Sequence, residues 1–182
     1  MKFIIGAASE ADIRDLFAFA QRVGTFTLTD KLADSVPRIW SGSYIQLAQL
    51  QIPGTPFFPS LNHLRIDHGN GSIDQLNLLV TNSLRFLEVV NIDESQHPAL
   101  LLFLCALCGE CPHLISITFS SRFAGWLSPC LEFRHLRELK FDGISHQFDR
   151  EILVSIGEAL PELDSFILDA EYDPPTHIHT PT

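Results

Sequence analysis

One spacing of apolar residues keeps returning along the chain: apolar, two residues, apolar, one residue, apolar. It occurs at Val23-Phe26-Leu28, Leu47-Leu50-Ile52, Leu61-Leu64-Ile66, Leu84-Leu87-Val89, Leu114-Ile117-Phe119, Leu136-Leu139-Phe141 and Leu163-Phe166-Leu168. Successive starts lie 24, 14, 23, 30, 22 and 27 residues apart, a mean of about 23. The last four residues of each hexamer alternate out and in, as in a strand, so the second and third apolar side chains share one core. The first apolar residue anchors the approach to the strand. Each unit then holds one strand, one helix and two turns, which is shorter than a βαβ unit of roughly 30 residues. The pattern predicts an α/β fold: a solenoid of about seven short parallel strands, with helices and loops on the other side of the sheet.

The intervening segments supply the helices. Residues 9–23 open with Ser9 as N-cap and place Ile13, Leu16, Phe17 and Ala20 on one face. Residues 72–83 group Ile73, Leu76, Leu79 and Val80, with Ser72 as the cap. The run HPALLLFLCALCGE has Pro98 in its first turn and Gly109 at its end. Residues 148–163 group Ile152, Leu153, Ile156 and Leu160, and Pro161 stops the run. Two stretches break the rhythm. Pro53, Pro56 and Pro59 leave no helix between the hexamers at Leu47 and Leu61, which predicts an extended loop there. Residues 30–44 follow neither period. Residues 1–170 read as one irregular repeat domain of the leucine-rich-repeat class, whose period this spacing matches. Residues 171–182 read as a flexible polar tail.

Composition supports a packed chain. Of 182 residues 46% are hydrophobic and 19% charged, which excludes a mostly disordered chain. The net charge of −10 lacks the clustered basic face of a nucleic-acid protein. It is also unevenly placed. Residues 1–141 hold 11 basic and 13 acidic residues, whereas residues 142–182 hold one basic and nine acidic. The longest apolar run, Ala99–Cys108, is ten residues and about half a membrane span. The short run Phe3–Ala8 is followed at once by Glu10 and Asp12, unlike a secretory leader. These features predict a cytoplasmic or nuclear protein that binds neither membrane nor nucleic acid.

Chemical motifs are few. Cys105, Cys108 and Cys111 stand at i, i+3 and i+6, a spacing that could hold zinc or part of an iron–sulfur cluster with Cys130 or a His. Against this, the run continues an apolar helix, where Cys105 and Cys108 are small hydrophobes and Cys111-Pro112 closes the helix before a strand. The core reading is preferred, with no metal and no cofactor; a small metal or redox protein is the alternative. His113 and His135 occupy equivalent places before the first Leu of two repeats and suggest a loop hydrogen bond. His177 and His179 form an isolated pair in the tail. The sequence has no GxSxG, Walker-type loop, HExxH or GxGxxG, so no catalytic residue is assigned and a non-enzymatic protein is expected.

Function then falls to the exposed strand positions, which stack into one concave surface in a solenoid. The alternation names them: Thr25 and Thr27, Gln49 and Gln51, His63 and Arg65, Phe86 and Glu88. Ser116 and Thr118, Glu138 and Lys140, and Ser165 and Ile167 continue the ladder. Gln49, Gln51, His63, Arg65, Phe86, Glu88, Ser116, Thr118, Glu138 and Lys140 are the candidate partner-binding residues. The face is mixed and carries one aromatic anchor, Phe86, which suits a protein partner. At the far end no helix follows the last strand, which predicts an open sheet edge available for self-association.

The stretches DLFAFAQRVGTFTL, FPSLNHLRID, ECPHLISITF and FRHLRELKFDG carry a resemblance. In them the chain resembles the leucine-rich-repeat portion of fungal F-box proteins, especially those of mushroom-forming fungi. The resemblance runs from about Asp12 to Asp169. It implies a repeat solenoid that recognises the substrate of a ubiquitin ligase. The 22 residues before Val23 are too few for an F-box, so the expectation is a repeat portion lacking one.

Overall fold

The computed structural model describes residues 2–5, 20–29, 56, 58–67, 76–77, 79–92, 96–120, 127–142 and 150–169. Strands β1 (Lys2–Ile5), β2 (Thr25–Thr29), β3 (His63–Asp67), β4 (Phe86–Val90), β5 (Ser116–Ser120), β6 (Glu138–Asp142) and β7 (Ser165–Asp169) form one seven-stranded sheet. Its order is the chain order, and every neighbouring pair is parallel. The described α-helices are α1 (His97–Glu110), α2 (Leu127–Cys130) and α3 (Arg150–Ala159), and Ala20–Arg22 forms a 3-10 turn. The α/β class and the parallel sheet agree with the sequence pattern.

The register follows the hexamer. Phe26, Leu64, Leu87, Ile117, Leu139 and Phe166 lie side by side, as do Leu28, Ile66, Val89, Phe119, Phe141 and Leu168. The inner members of both columns are almost wholly buried. Fully burying side chains of this size stabilises by about 1.5–3 kcal/mol each. Phe119 stacks on Phe141 with ring centroids 5.3 Å apart, and Phe166 meets Phe141 edge-on at 6.4 Å.

The residue three before each leading apolar position is also buried: Ala20, Phe58, Thr81, Cys111, Phe133 and Leu160. Its carbonyl accepts from the amide of that leading residue, in every described repeat from Val23 to Leu163. A second ladder precedes the strands. The carbonyl oxygens of Gly24, Asn62, Arg85, Ile115 and Arg137 each accept two consecutive amides from the next repeat. Such bonds satisfy backbone groups that would otherwise be stranded at the sheet margin.

The helices feed the same core. Leu100, Phe103, Leu104 and Leu107 of α1 are buried at the i, i+3, i+4, i+7 spacing. Cys130 of α2 and Ile156 of α3 belong to the same cluster as the inward strand residues. The described helices therefore cover one face of the sheet. Among the described residues no helix is long and apolar enough to cross a membrane.

Four expectations need adjustment. The hexamer at Leu47 and the tail 171–182 lie outside the described residues. β2 pairs directly with β3, Thr25 against His63, so the sheet has no strand between them. The seventh strand is instead β1, which carries no hexamer. Of residues 9–23, those before Ala20 lie outside the described residues, and Ala20–Arg22 is 3-10. Leu76, Asn77 and Leu79 are also 3-10 rather than α-helical. Leu76 and Leu79 are each 1% exposed, and a 3-10 turn lets both reach the core while rising about 2 Å per residue. In α3 the apolar stripe is Ile152, Ile156 and Ala159, continued by Leu160. Leu153 is 45% exposed, because one residue beyond Ile152 the helix has turned about 100° off that stripe.

Candidate functional site

The face of the sheet opposite the core carries three rows, set by strand alternation. The first is Thr25, His63, Phe86, Ser116, Glu138 and Ser165; the second is Thr27, Arg65, Glu88, Thr118, Lys140 and Ile167. Eight candidate residues, His63, Arg65, Phe86, Glu88, Ser116, Thr118, Glu138 and Lys140, fall into these two rows. Gln49 and Gln51 lie outside the described residues. The third row is Asp67, Val90, Ser120, Asp142 and Asp169. Sequence reasoning missed it because the hexamer ends one residue early. Extending the alternation by one position would have found Asp67, Ser120, Asp142 and Asp169.

Two polar clusters occupy this face. In the first, Arg65 donates through Nη1 to Glu88 Oε2 (2.7 Å) and through Nη2 to Asp67 Oδ2 (3.2 Å). Asn91 Nδ2 donates to the other oxygen of Asp67 at 2.9 Å. His63 Nε2 lies 3.1 Å from Glu88 Oε1, off the line of a hydrogen bond, and its ring sits 6.0 Å from that of Phe86. Burial pulls the Arg65 guanidinium down, but its hydrogen bonds to Glu88 and Asp67 outweigh this and leave it above the usual arginine range. The Asp67 side chain is only 8% exposed, so its charge needs these partners. Asn91 itself stands at φ 53°, a left-handed backbone that Asn tolerates better than most residues.

In the second cluster Ser120 Oγ donates to Asp142 Oδ2 (2.8 Å), and Lys140 Nζ stands 3.0 Å from Asp142 Oδ1. The close pairing with Asp142 raises the Lys140 ammonium above its ordinary range. Ser116 Oγ donates to Glu138 Oε2 at 3.3 Å. Both hydroxyls donate to carboxylates rather than to an imidazole base, an arrangement that fixes side-chain positions. Between the clusters Ser116 and Thr118 make a neutral, low floor. Phe86 is 41% exposed and Ile167 38%, so two apolar side chains stand out on this face, whereas Val90 in the third row is 7% exposed.

The four thiols do not converge. Cys105 is exposed on α1. Cys108 donates to Leu104 O (3.2 Å) and Pro129 O (3.4 Å), while Cys111 donates to Thr81 O (3.1 Å) from inside the core. Burial pushes the thiols of Cys108 and Cys111 up to about 11 each, and that of Cys130 higher than an ordinary thiol too. Among the described residues no three His, Cys, Asp or Glu side chains are grouped as metal ligands.

His113 and His135 do meet, with ring centroids 5.9 Å apart on the ridge before the strands, and His135 Nδ1 lies 2.9 Å from Glu162 Oε1. These contacts link three successive repeats through equivalent positions. No protein-family model, curated protein or solved structure matches the chain.

Proposed function

We propose that the chain is a leucine-rich-repeat solenoid whose open face, concave in such an arrangement, binds a protein partner without chemistry. On this reading it is the substrate-recognition portion of an F-box-type ubiquitin-ligase receptor, acting in the cytoplasm or nucleus. One observation carries the binding reading. Polar, aromatic and charged side chains from successive repeats are aligned in register on the face that the described helices leave uncovered. A surface of that kind offers many small contacts at fixed spacing, as partner-binding repeat proteins do. Its rotamers are held by ion pairs and hydroxyl bonds, so little side-chain entropy remains to be lost on binding. The ligase assignment rests on the sequence resemblance alone.

The test compares two single variants of equal stability by proximity labelling in cells. Thr118→Arg sets a long charged side chain in the middle of the open face. Leu102→Ser removes an apolar side chain that is 70% exposed on α1, on the other side of the sheet. The proposal expects a reproducible partner set labelled by the unmodified protein and by Leu102→Ser but lost with Thr118→Arg. Equal labelling by both variants would refute the open face as the binding surface. For the ligase assignment, the partner set includes a ubiquitin-ligase adaptor only when the gene supplies an F-box; its absence from the full gene product would remove that assignment.

A further inference from the structure

The charges of the open face say what kind of segment fits it. From them we infer that the face takes an extended, basic peptide segment anchored at two apolar points. This deepens the partner-binding reading above and rests on it.

Five carboxylates, Asp67, Glu88, Glu138, Asp142 and Asp169, stand on the described part of the face, against the two cations Arg65 and Lys140. The cations are already engaged. Arg65 is bonded to both Glu88 and Asp67. Lys140 is paired with Asp142 and acts at longer range on Asp169 and Glu138, so three carboxylates share one ammonium. The excess negative charge therefore sits over β6 and β7. An acidic partner would meet uncompensated repulsion there, whereas Lys or Arg would complete the pairing.

The apolar points set the length. Phe86 is on β4 in the first row and Ile167 on β7 in the second. Three strand spacings and a two-residue offset separate them by about 15 Å, which four or five residues of extended chain span. Ser116 and Thr118 are short enough to let a backbone pass between these anchors. The path crosses β6 between Glu138 and Lys140, whose ammonium is already paired with Asp142, and Asp142 and Asp169 border it. The fitting segment thus has two apolar residues four or five apart with Lys or Arg between them.

Fluorescence anisotropy with three labelled synthetic peptides tests this. Each has two leucines five residues apart; the residues between them are Lys and Ser, Glu and Ser, or Ser alone. The Lys peptide is expected to bind at least tenfold more tightly than the Glu peptide. Glu138→Gln and Asp142→Asn should each weaken it roughly two- to fivefold, the range of a partly exposed charge pair. Phe86→Ala and Ile167→Ala should weaken the Lys and Ser peptides alike. Glu171→Gln with Asp173→Asn, in the acidic tail, should change nothing. Circular dichroism checks each variant, and Glu138→Gln alone suffices if Asp142→Asn does not fold.

Equal binding of Lys and Glu peptides overturns the proposal, as does Lys binding that responds to the tail substitutions but not to those on the face. If the Lys and Glu peptides bind equally and both are weakened by Phe86→Ala, partner binding at this face survives and only the basic preference falls. If no peptide responds to any face substitution, the proposal is overturned and the partner reading loses its support as well.

Discussion

Asn91 offers a sharp test of the network under the open face, because two separate effects meet in one residue. Its backbone is left-handed, at φ 53°, and its side chain gives a 2.9 Å hydrogen bond to the buried carboxylate of Asp67. Asn91→Gly keeps the backbone shape available and removes only the amide. A lost hydrogen bond to a charged group costs about 1.5–3 kcal/mol, offset in part if water reaches Asp67. Asn91→Ala loses the same bond and keeps a Cβ in a region that costs most L-residues about 1–2 kcal/mol, a cost that Gly does not carry. The expected order is Asn, then Gly, then Ala, with Ala below Gly by about 1 kcal/mol once the greater unfolded freedom of Gly is counted. Urea unfolding followed by far-UV circular dichroism at pH 7 measures both differences, provided the slopes agree. Asn91→Ala as stable as Asn91→Gly would show that the left-handed backbone imposes nothing. Asn91→Gly as stable as the parent would show that Asp67 is indifferent to its amide partner.

Four further outcomes follow from the packing. Phe119→Ala, at a site 0% exposed and stacked on Phe141, should cost about 3–5 kcal/mol, and Phe119→Leu much less; equal losses in urea melts would contradict the stacking. Leu153→Lys and Val154→Lys, on the exposed side of α3, should change stability by less than about 0.5 kcal/mol in the same assay. Cys105 alone should react quickly with a disulfide reagent at pH 8, and all four thiols should react once the protein is unfolded. The folded thiols of Cys108 and Cys111 titrate near 11 rather than 9, so they keep their protons where the unfolded chain has lost them. Stability from this source is whole below pH 9 and falls as pH rises toward 11; a melting temperature flat across that window would contradict it.

The sequence made the parallel rows legible because each depends on a period of two, which a run of five residues already displays. Six of the seven hexamers coincide with β2 to β7, and eight candidate residues stand in the two rows expected for them. β1 was not legible. KFII is too short and too apolar to show alternation, and only its pairing with Thr25–Leu28 identifies it. The third row was hidden by where the motif stops. Asp67 and Asp142 look like loop residues until the strand is seen to run through them. Leu153 was misplaced because a helical stripe read from apolar identity alone cannot tell its edge from its centre. The ion pairs of Arg65 were invisible for a further reason: Glu88 is 23 residues away, and only the register brings the two together.

The doubled hydrogen bonds at Gly24, Asn62, Arg85, Ile115 and Arg137 act as a ruler. Each one sets the start of the next strand against the last, whatever length of chain lies between. From β2 onward those starts are 38, 23, 30, 22 and 27 residues apart in sequence, yet every step in the sheet is identical. Since doubling a flexible loop costs only about 0.6 kcal/mol, insertions between repeats are cheap while a single deletion inside a strand shifts a whole row. Insertions between the strands can therefore reshape the rim while the spacing of the side chains on the open face stays constant.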